Sequence, residues 1–223
     1  MEEIDFMSAL HKSTDRDYLA RVNDREFPKE KAAELAKQFA YDYWDGDRRI
    51  CYGGYRYIEG RWEKVARLIS EHYDLPKNAK ILDIGCGKGY LMQDLLKVNP
   101  SYRVYGIDIC RYAIDHSHAD IRDQITEGSA SRLPWKDNTF DLVISINTLH
   151  NLHAYDLYDA LSEIERVGKR SKYICIESYR NEKEKANLLY WQVTCEAFNT
   201  PDEWRWWFTK AGYTGDYSFI YFE

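Results

Sequence analysis

The run Ile81-Leu82-Asp83-Ile84-Gly85-Cys86-Gly87-Lys88-Gly89 constrains this chain more than any other feature. An apolar stretch of strand character enters a turn with glycine at every second position. Leu91, Met92, Leu95 and Leu96 then lie on one helical face. Glycine has no Cβ, so the backbone can turn tightly and come close to a ligand. The N–H groups that open the following helix point outward and receive an anionic group such as a carboxylate. Further apolar runs follow at 103–107, 124–127, 140–146 and 173–177. Between the last two, Leu157, Ala160, Leu161, Ile164 and Val167 make a helical face, with Gly168 as the expected C-cap. Strands that alternate with helices predict a parallel α/β sheet covered on both faces.

The flanks have a different texture. Residues 1–75 read as a helical extension ahead of a sheet domain at 76–223. Pro28 sits at a helix start, followed by Ala32, Leu35, Ala36, Phe39 and Tyr43 at helical spacing. Glycines interrupt 44–60, and Trp62, Val65, Ala66, Ile69 and Tyr73 mark a second helix. Near the end, Thr200-Pro201-Asp202-Glu203 is a capping box with proline at the first helical position. Gly212 is placed to stop that helix, and alternation over 216–222 predicts a last strand. Periodicity leaves 188–198 open between helix and strand.

Composition narrows the function classes. The 31 basic and 37 acidic residues give a net charge of −6, which disfavours a nucleic-acid partner. No apolar run reaches roughly 18 residues, so no membrane span is expected. The start, Met1-Glu2-Glu3-Ile4-Asp5, has no apolar segment of signal-peptide type. Five cysteines without a C-x-x-C pair read as reduced thiols of a cytoplasmic protein, with no metal site expected. The 19 tyrosines and 7 tryptophans suit a wet ligand pocket as well as a core.

The glycine turn departs from the dinucleotide fingerprint, because the third glycine, Gly89, comes one residue early and Tyr90 stands where it belongs. Its pattern D-x-G-C-G-x-G resembles the first motif of class I S-adenosylmethionine-dependent methyltransferases. Later elements keep register with that family: Val104 to Asp108 ends a strand with an acid, Gly128-Ser129-Ala130 precedes Leu133-Pro134-Trp135, and Phe140 to Asn147 forms the fourth motif. The resemblance implies a Rossmann-like sheet, mostly parallel with an antiparallel C-terminal edge strand, flanked by helices and carrying an N-terminal helical cap. It implies S-adenosyl-L-methionine as cofactor and S-adenosyl-L-homocysteine as product. The implied cofactor contacts are Asp83, Gly85, Gly87, Gly89, Asp108, Ile109, Ser129, Ala130 and Asn147. Asp108 would take the ribose hydroxyls; Ser129 stands where many members have Asp.

Five further blocks resemble small bacterial methyltransferases associated with capsule or O-antigen assembly: His11 to Arg21, Tyr52 to Tyr57 with Gly60-Arg61-Trp62, Ile146 to Leu152, Glu177 to Arg180, and Gly212 to Tyr217. That resemblance implies a small-molecule acceptor, a sugar, nucleotide-linked sugar or phosphorylated precursor. His150 is the first strong proton acceptor after the fourth strand and the leading candidate base, with Glu177 as its competitor. Tyr52, Tyr55, Arg56, Tyr57, Asn151 and Tyr179 are the candidate acceptor contacts. The Gly-, Tyr- and Arg-rich stretch 48–57 reads as a lid. N-methylation of a small amine and noncatalytic cofactor binding stand as alternatives.

Overall fold

The computed structural model describes residues 1–10 and 16–223 of the 223-residue chain, so residues 11–15 of the His11 to Arg21 block lie outside the described residues. Six strands form one sheet: β1 (Lys80–Ile84), β2 (Arg103–Asp108), β3 (Ile125–Glu127), β4 (Phe140–Ile146), β5 (Gly168–Glu177) and β6 (Asp216–Ile220). Their order is β3-β2-β1-β4-β5-β6. The chain leaves β1 toward β2 and β3, then crosses back to lay β4 on the other side of β1. This reversal splays the connections apart at the carboxyl ends of β1 and β4 and leaves a crevice there, where open α/β sheets bind ligands.

The expected antiparallel edge strand is corrected by the register. Tyr173 pairs with Asp216 and Glu177 with Ile220, so β6 runs parallel to β5 like every other pair in the sheet. Alternation predicts a strand but carries no direction. Direction is set by the return path through α9 (Glu182–Trp191) and α10 (Pro201–Ala211), which brings the chain back to the amino end of β5. The first residues extend this edge, with Ile4 N–H donating to Tyr217 C=O at 2.8 Å.

Alternate residues of the strands fill two apolar layers. Ile81, Leu142, Ile144 and Tyr173 pack on α4 (Glu63–His72) and α5 (Tyr90–Val98) through Ile69, Met92 and Leu95. Leu82, Ile84, Val143, Ile174 and Ile176 pack on α8 (Ala154–Val167) and α10 through Leu157, Leu161, Trp204 and Phe208. The capping box of α10 forms as expected, with Thr200 N–H donating to Glu203 Oε2 at 2.7 Å, and Gly212 ends the helix at φ 70°. Gly168 caps α8 in an extended conformation, not a left-handed one, and so opens β5 directly. Of the ambiguous stretch 188–198, the first four residues belong to α9 and the rest is irregular.

The remaining helices are short: α1 (Tyr18–Asn23), α2 (Lys29–Ala36), α3 (Tyr41–Trp44), α6 (Arg111–Asp115) and α7 (Ala119–Arg122). Ala32, Ala36, Tyr43, Trp44 and Ile50 of the N-terminal segment form a third apolar cluster with Cys110, Ala113 and Val193. That cluster holds α2 and α3 over the carboxyl ends of β1 and β2. Among the described residues no helix is long and apolar enough to cross a membrane.

Candidate active site

A pocket opens at the crevice between β1 and β4, floored by the glycine turn. Gly85 and Gly87 have φ of 71° and 55°, in the region that disfavours side chains. A Cβ on Gly85 would fall 2.0 Å from Thr148 Oγ1, and one on Gly87 would fall 2.5 Å from Trp44 Cη2. Of the sequence-predicted cofactor contacts, Asp83, Gly85, Gly87, Asp108, Ile109, Ser129, Ala130 and Asn147 line this pocket. Gly89 does not: it opens α5, and its Cβ position faces Ile121, Ile125 and Met92 in the core.

Two acids crowd the pocket. Asp108 ends β2, and its carboxylate accepts from Gly87 N–H at 2.7 Å and Cys110 N–H at 2.8 Å. Asp83 lies one strand over. Burial, then the nearby Asp108 charge, pushes the Asp83 carboxyl up to about 7. Burial raises Asp108 as well, against those two N–H bonds. Crowded carboxylates are relieved by a cationic ligand that also brings hydroxyl donors. An ammonium, a sulfonium and a ribose diol meet that description, so the residues fit S-adenosyl-L-methionine.

The outer wall is aromatic. Trp44 and Tyr52 stack at 5.4 Å with planes 5° apart, and Tyr55 stacks on Tyr90 at 4.9 Å. Asp45, absent from the sequence reading, fastens this wall to the glycine turn. Its carboxylate accepts from Lys88 Nζ at 2.7 and 2.8 Å, from the Tyr112 hydroxyl at 2.8 Å and from Tyr55 N–H at 3.1 Å. The Lys88 side chain is only 5% exposed. Asp45→Ala strands that ammonium without its ion partner, so we expect a loss of about 3 kcal/mol in a urea titration. Asp45→Asn keeps the shape and one acceptor oxygen, though its amide NH2 cannot accept as the second carboxylate oxygen does, and should lose less than Asp45→Ala.

A second pocket adjoins the first and shares Tyr43, Tyr52 and Asn147 with it. Asn147 follows β4 in a left-handed conformation, φ 55°. Beyond it, His150 from the turn Leu149–Asn151 faces Glu177 at the end of β5, with Nε2 3.5 Å from Oε2. Gln192 donates its amide to the other carboxylate oxygen, Oε1. Burial pushes Glu177 up to about 8 and His150 down to about 3. Near neutral pH the pair therefore holds one proton and no net charge. Asn147 Oδ1, His150 Nδ1, Asn151 Oδ1 and Glu177 Oε2 are buried without a hydrogen-bond partner. Only one other side-chain atom among the described residues shares that condition, Gln93 Oε1. Proteins satisfy nearly all such atoms, so four gathered about the junction of the two pockets suit a polar ligand there.

The predicted residues divide between the two pockets. His150 and Glu177 meet in the second and do not line the first, so the base candidate stands one chamber away from the glycine turn. Tyr52 lines both; Tyr55 and Asn151 line only the first. Three acceptor candidates fall elsewhere. Arg56 is exposed and lines neither pocket. Tyr57 points away and donates its hydroxyl to Asp94. Tyr179 turns beneath α9 to pack on Leu188 and Phe222. Arg16, Arg21, Trp191 and Gln192 line the second pocket without having been singled out as site residues. Arg16 and Arg21 belong to the His11 to Arg21 block, yet neither that block nor the end of α9 reveals which elements it approaches.

A family described as methyltransferase domain matches residues 75–212. A demethylmenaquinone methyltransferase of Symbiobacterium thermophilum is 30% identical over 165 residues, 69% of this chain and 62% of its own. The human mitochondrial arginine-hydroxylase NDUFAF5 is 36% identical over 109 residues, 48% of this chain and 31% of its own. The matched stretch thus spans under two thirds of either relative. The YcgJ structure from Bacillus subtilis shares the fold, with TM-score 0.54 and 18% identity over 66% of each chain. With the sheet order, the glycine turn and the family match in agreement, this chain belongs to the class I S-adenosylmethionine-dependent methyltransferase family.

Proposed function

We propose that this chain transfers a methyl group to a hydroxyl of a small acceptor, of sugar or nucleotide-sugar type, seated in the second pocket. The observation that carries the reading is the junction of the two pockets at Asn147, with the buried His150–Glu177 pair just beyond it. In this reading the glycine turn, Asp83, Asp108, Ile109, Ser129, Ala130 and Asn147 hold the donor. When bound, S-adenosyl-L-methionine supplies an electrophilic methyl group on a sulfonium. Asn147 orients donor and acceptor across the junction, Tyr43 and Tyr52 exclude water, and the His150–Glu177 pair takes the hydroxyl proton.

A hydroxyl acceptor needs that base; an amine needs only its neutral form. An amine would also arrive as a cation in a pocket lined by Arg16, Arg21 and Arg48, which repels it. Residues 48–57 fit a lid, since Tyr52 and Tyr55 wall the donor pocket from outside the sheet. The blocks similar to capsule and O-antigen methyltransferases support a surface-polysaccharide precursor as acceptor.

The test is product formation with labelled donor across free sugars, sugar phosphates, nucleotide sugars and small amines. Methylated product is expected from a hydroxylated member of that panel. Product from amines alone would reverse the assignment in favour of N-methylation.

A further inference from the structure

Arg16, Arg21 and Arg48 meet around one ring at the side of the second pocket. Their guanidinium carbons lie 5.5, 5.0 and 5.8 Å from the centre of Trp191, and Arg16 also lies 4.7 Å from Phe222. All five residues line that pocket. Arg21 donates to the Ile50 carbonyl at 2.8 Å, and Arg48 donates to the Cys51 carbonyl. Among the described residues no carboxylate lies within salt-bridge reach of any of the three. Arg49, next in sequence to Arg48, shows the contrast: it is met by Glu26 at 2.8 Å, Asp47 at 2.6 Å and Asp24 at 3.8 Å.

Three guanidiniums gathered without a salt-bridge partner repel one another; at Arg21 burial lowers the pKa, the Cys51 thiol opposes it, and the Arg48 charge adds to the lowering. Among the other titratable groups facing the pocket, burial pushes the Glu177 carboxyl up to about 8 although it feels the Arg16 charge, so it offers no counter-charge near neutral pH. His150 and Glu177 share one proton, burial pushes the Cys51 thiol up to about 12, and burial raises Tyr43 and Tyr52 far above any physiological pH. The pocket is thus cationic along one side and neutral at the base. Guanidinium forks match the paired oxygens of a phosphate, and aromatic stacking holds them spread for it. A single carboxylate would leave two of the three charges uncompensated; a phosphate dianion or a diphosphate would not.

We propose that Arg16, Arg21 and Arg48, held on the Trp191 face, form a phosphate-binding subsite, and that the acceptor is a phosphate- or diphosphate-bearing hydroxy compound. Its phosphate sits among the arginines and its hydroxyl reaches the His150–Glu177 pair. The proposal rests on the reading of the second pocket as the acceptor site.

Its test needs no turnover, so it fails separately from the proposed reaction. Inorganic pyrophosphate, inorganic phosphate and succinate are titrated calorimetrically into the whole chain, wild type and variants. Pyrophosphate should bind at a single site, and Arg16→Gln and Arg48→Gln should each weaken it at least tenfold. Arg16 makes no hydrogen bond within the described fold and contributes only its stacking on Trp191 and Phe222, so Arg16→Gln should remain folded with a small change in urea midpoint. Pyrophosphate should also change the tryptophan fluorescence of the wild type, and Trp191→Phe should remove that change. A stronger response to phosphate than to pyrophosphate would assign a phosphomonoester, and the reverse a diphosphate. No binding of either phosphate, unchanged binding in both arginine variants, or tighter binding of succinate would overturn the subsite.

Discussion

His150→Ala should lower turnover roughly 10²–10⁴-fold, the contribution of a positioned general base, while S-adenosyl-L-homocysteine affinity stays near wild type. The separation follows from placement: His150 lines the second pocket and not the glycine-turn pocket. His153→Ala should do far less, because its side chain is 60% exposed and 3.8 Å from Glu196. Burial alone leaves His150 a weak base, pushed down to about 3. It becomes effective only if Glu177 is ionised and stabilises the imidazolium across their 3.5 Å contact. Glu177 sits at about 8, raised by burial. Turnover should therefore rise as pH climbs through about 8 and flatten above it. Glu177→Gln should abolish that rise and lower the plateau. The same shift has a stability sign: a carboxyl raised on folding costs stability as pH rises above its unfolded value near 4.3, until it ionises in the folded state as well. Glu177→Gln should thus hold its urea midpoint better than wild type between pH 5 and about 8. Single-turnover rates across pH settle the assignment. A His150→Ala rate near wild type at every pH removes the base from this histidine.

What the sequence made legible is what local physics determines. The five sheet strands 80–84 to 173–177 and the helices between them are short-range patterns of burial; the first four strands appear close to their predicted bounds, and β5 begins five residues earlier, at Gly168. Where a strand is polar, as at Lys169–Arg170, the pattern misses it. There β5 extends backward because Lys169 pairs with Asp141 at 2.7 Å and Lys172 with Glu165 at 2.9 Å. Asp141 lies on β4, 28 residues from Lys169, and Glu165 on the preceding α8, so neither pairing is visible as an apolar pattern. The direction of β6 was hidden for the same reason. The glycine-turn pocket was legible because its floor is a contiguous motif, whereas Gly89 shares that motif and faces the core. The second pocket was barely legible. It is assembled from α1, the segment after α3, β5 and α9, elements far apart in sequence. Its histidine and acid were found because each lies at the carboxyl end of a strand; its arginines follow no such rule. Tyr57 and Tyr179 show the converse. Aromatic residues near a site are drawn into packing as readily as into the site itself.

Gly87→Val should cut S-adenosyl-L-homocysteine affinity about 100-fold or more, a loss of at least ~2.7 kcal/mol. Two effects act together. The backbone at φ 55° lies where a β-branched residue is an outlier, and a left-handed conformation costs about 1–2 kcal/mol for a side chain with Cβ. The new Cβ also starts 2.5 Å from Trp44 Cη2. Trp44 cannot withdraw freely, because its indole N–H donates to Cys110 Sγ at 3.1 Å and its ring stacks on Tyr52. The turn must shift, and Gly87 N–H then leaves Asp108, which it holds at 2.7 Å. One substitution thus disturbs the floor, the aromatic wall and the acid. Asp108→Ala isolates the last of these and should cost about 1.5–3 kcal/mol of affinity, the range for a hydrogen bond to a charged group. Gly212→Ala is the control. It has the same kind of backbone, φ 70°, with nothing within 4 Å of its Cβ position and no part in either pocket. It should lower stability by about 1–2 kcal/mol for the strained backbone and leave affinity unchanged. Calorimetric titration of the three folded variants decides the matter, because wild-type affinity in both Gly87→Val and Asp108→Ala would remove the donor from the β1–β4 crevice.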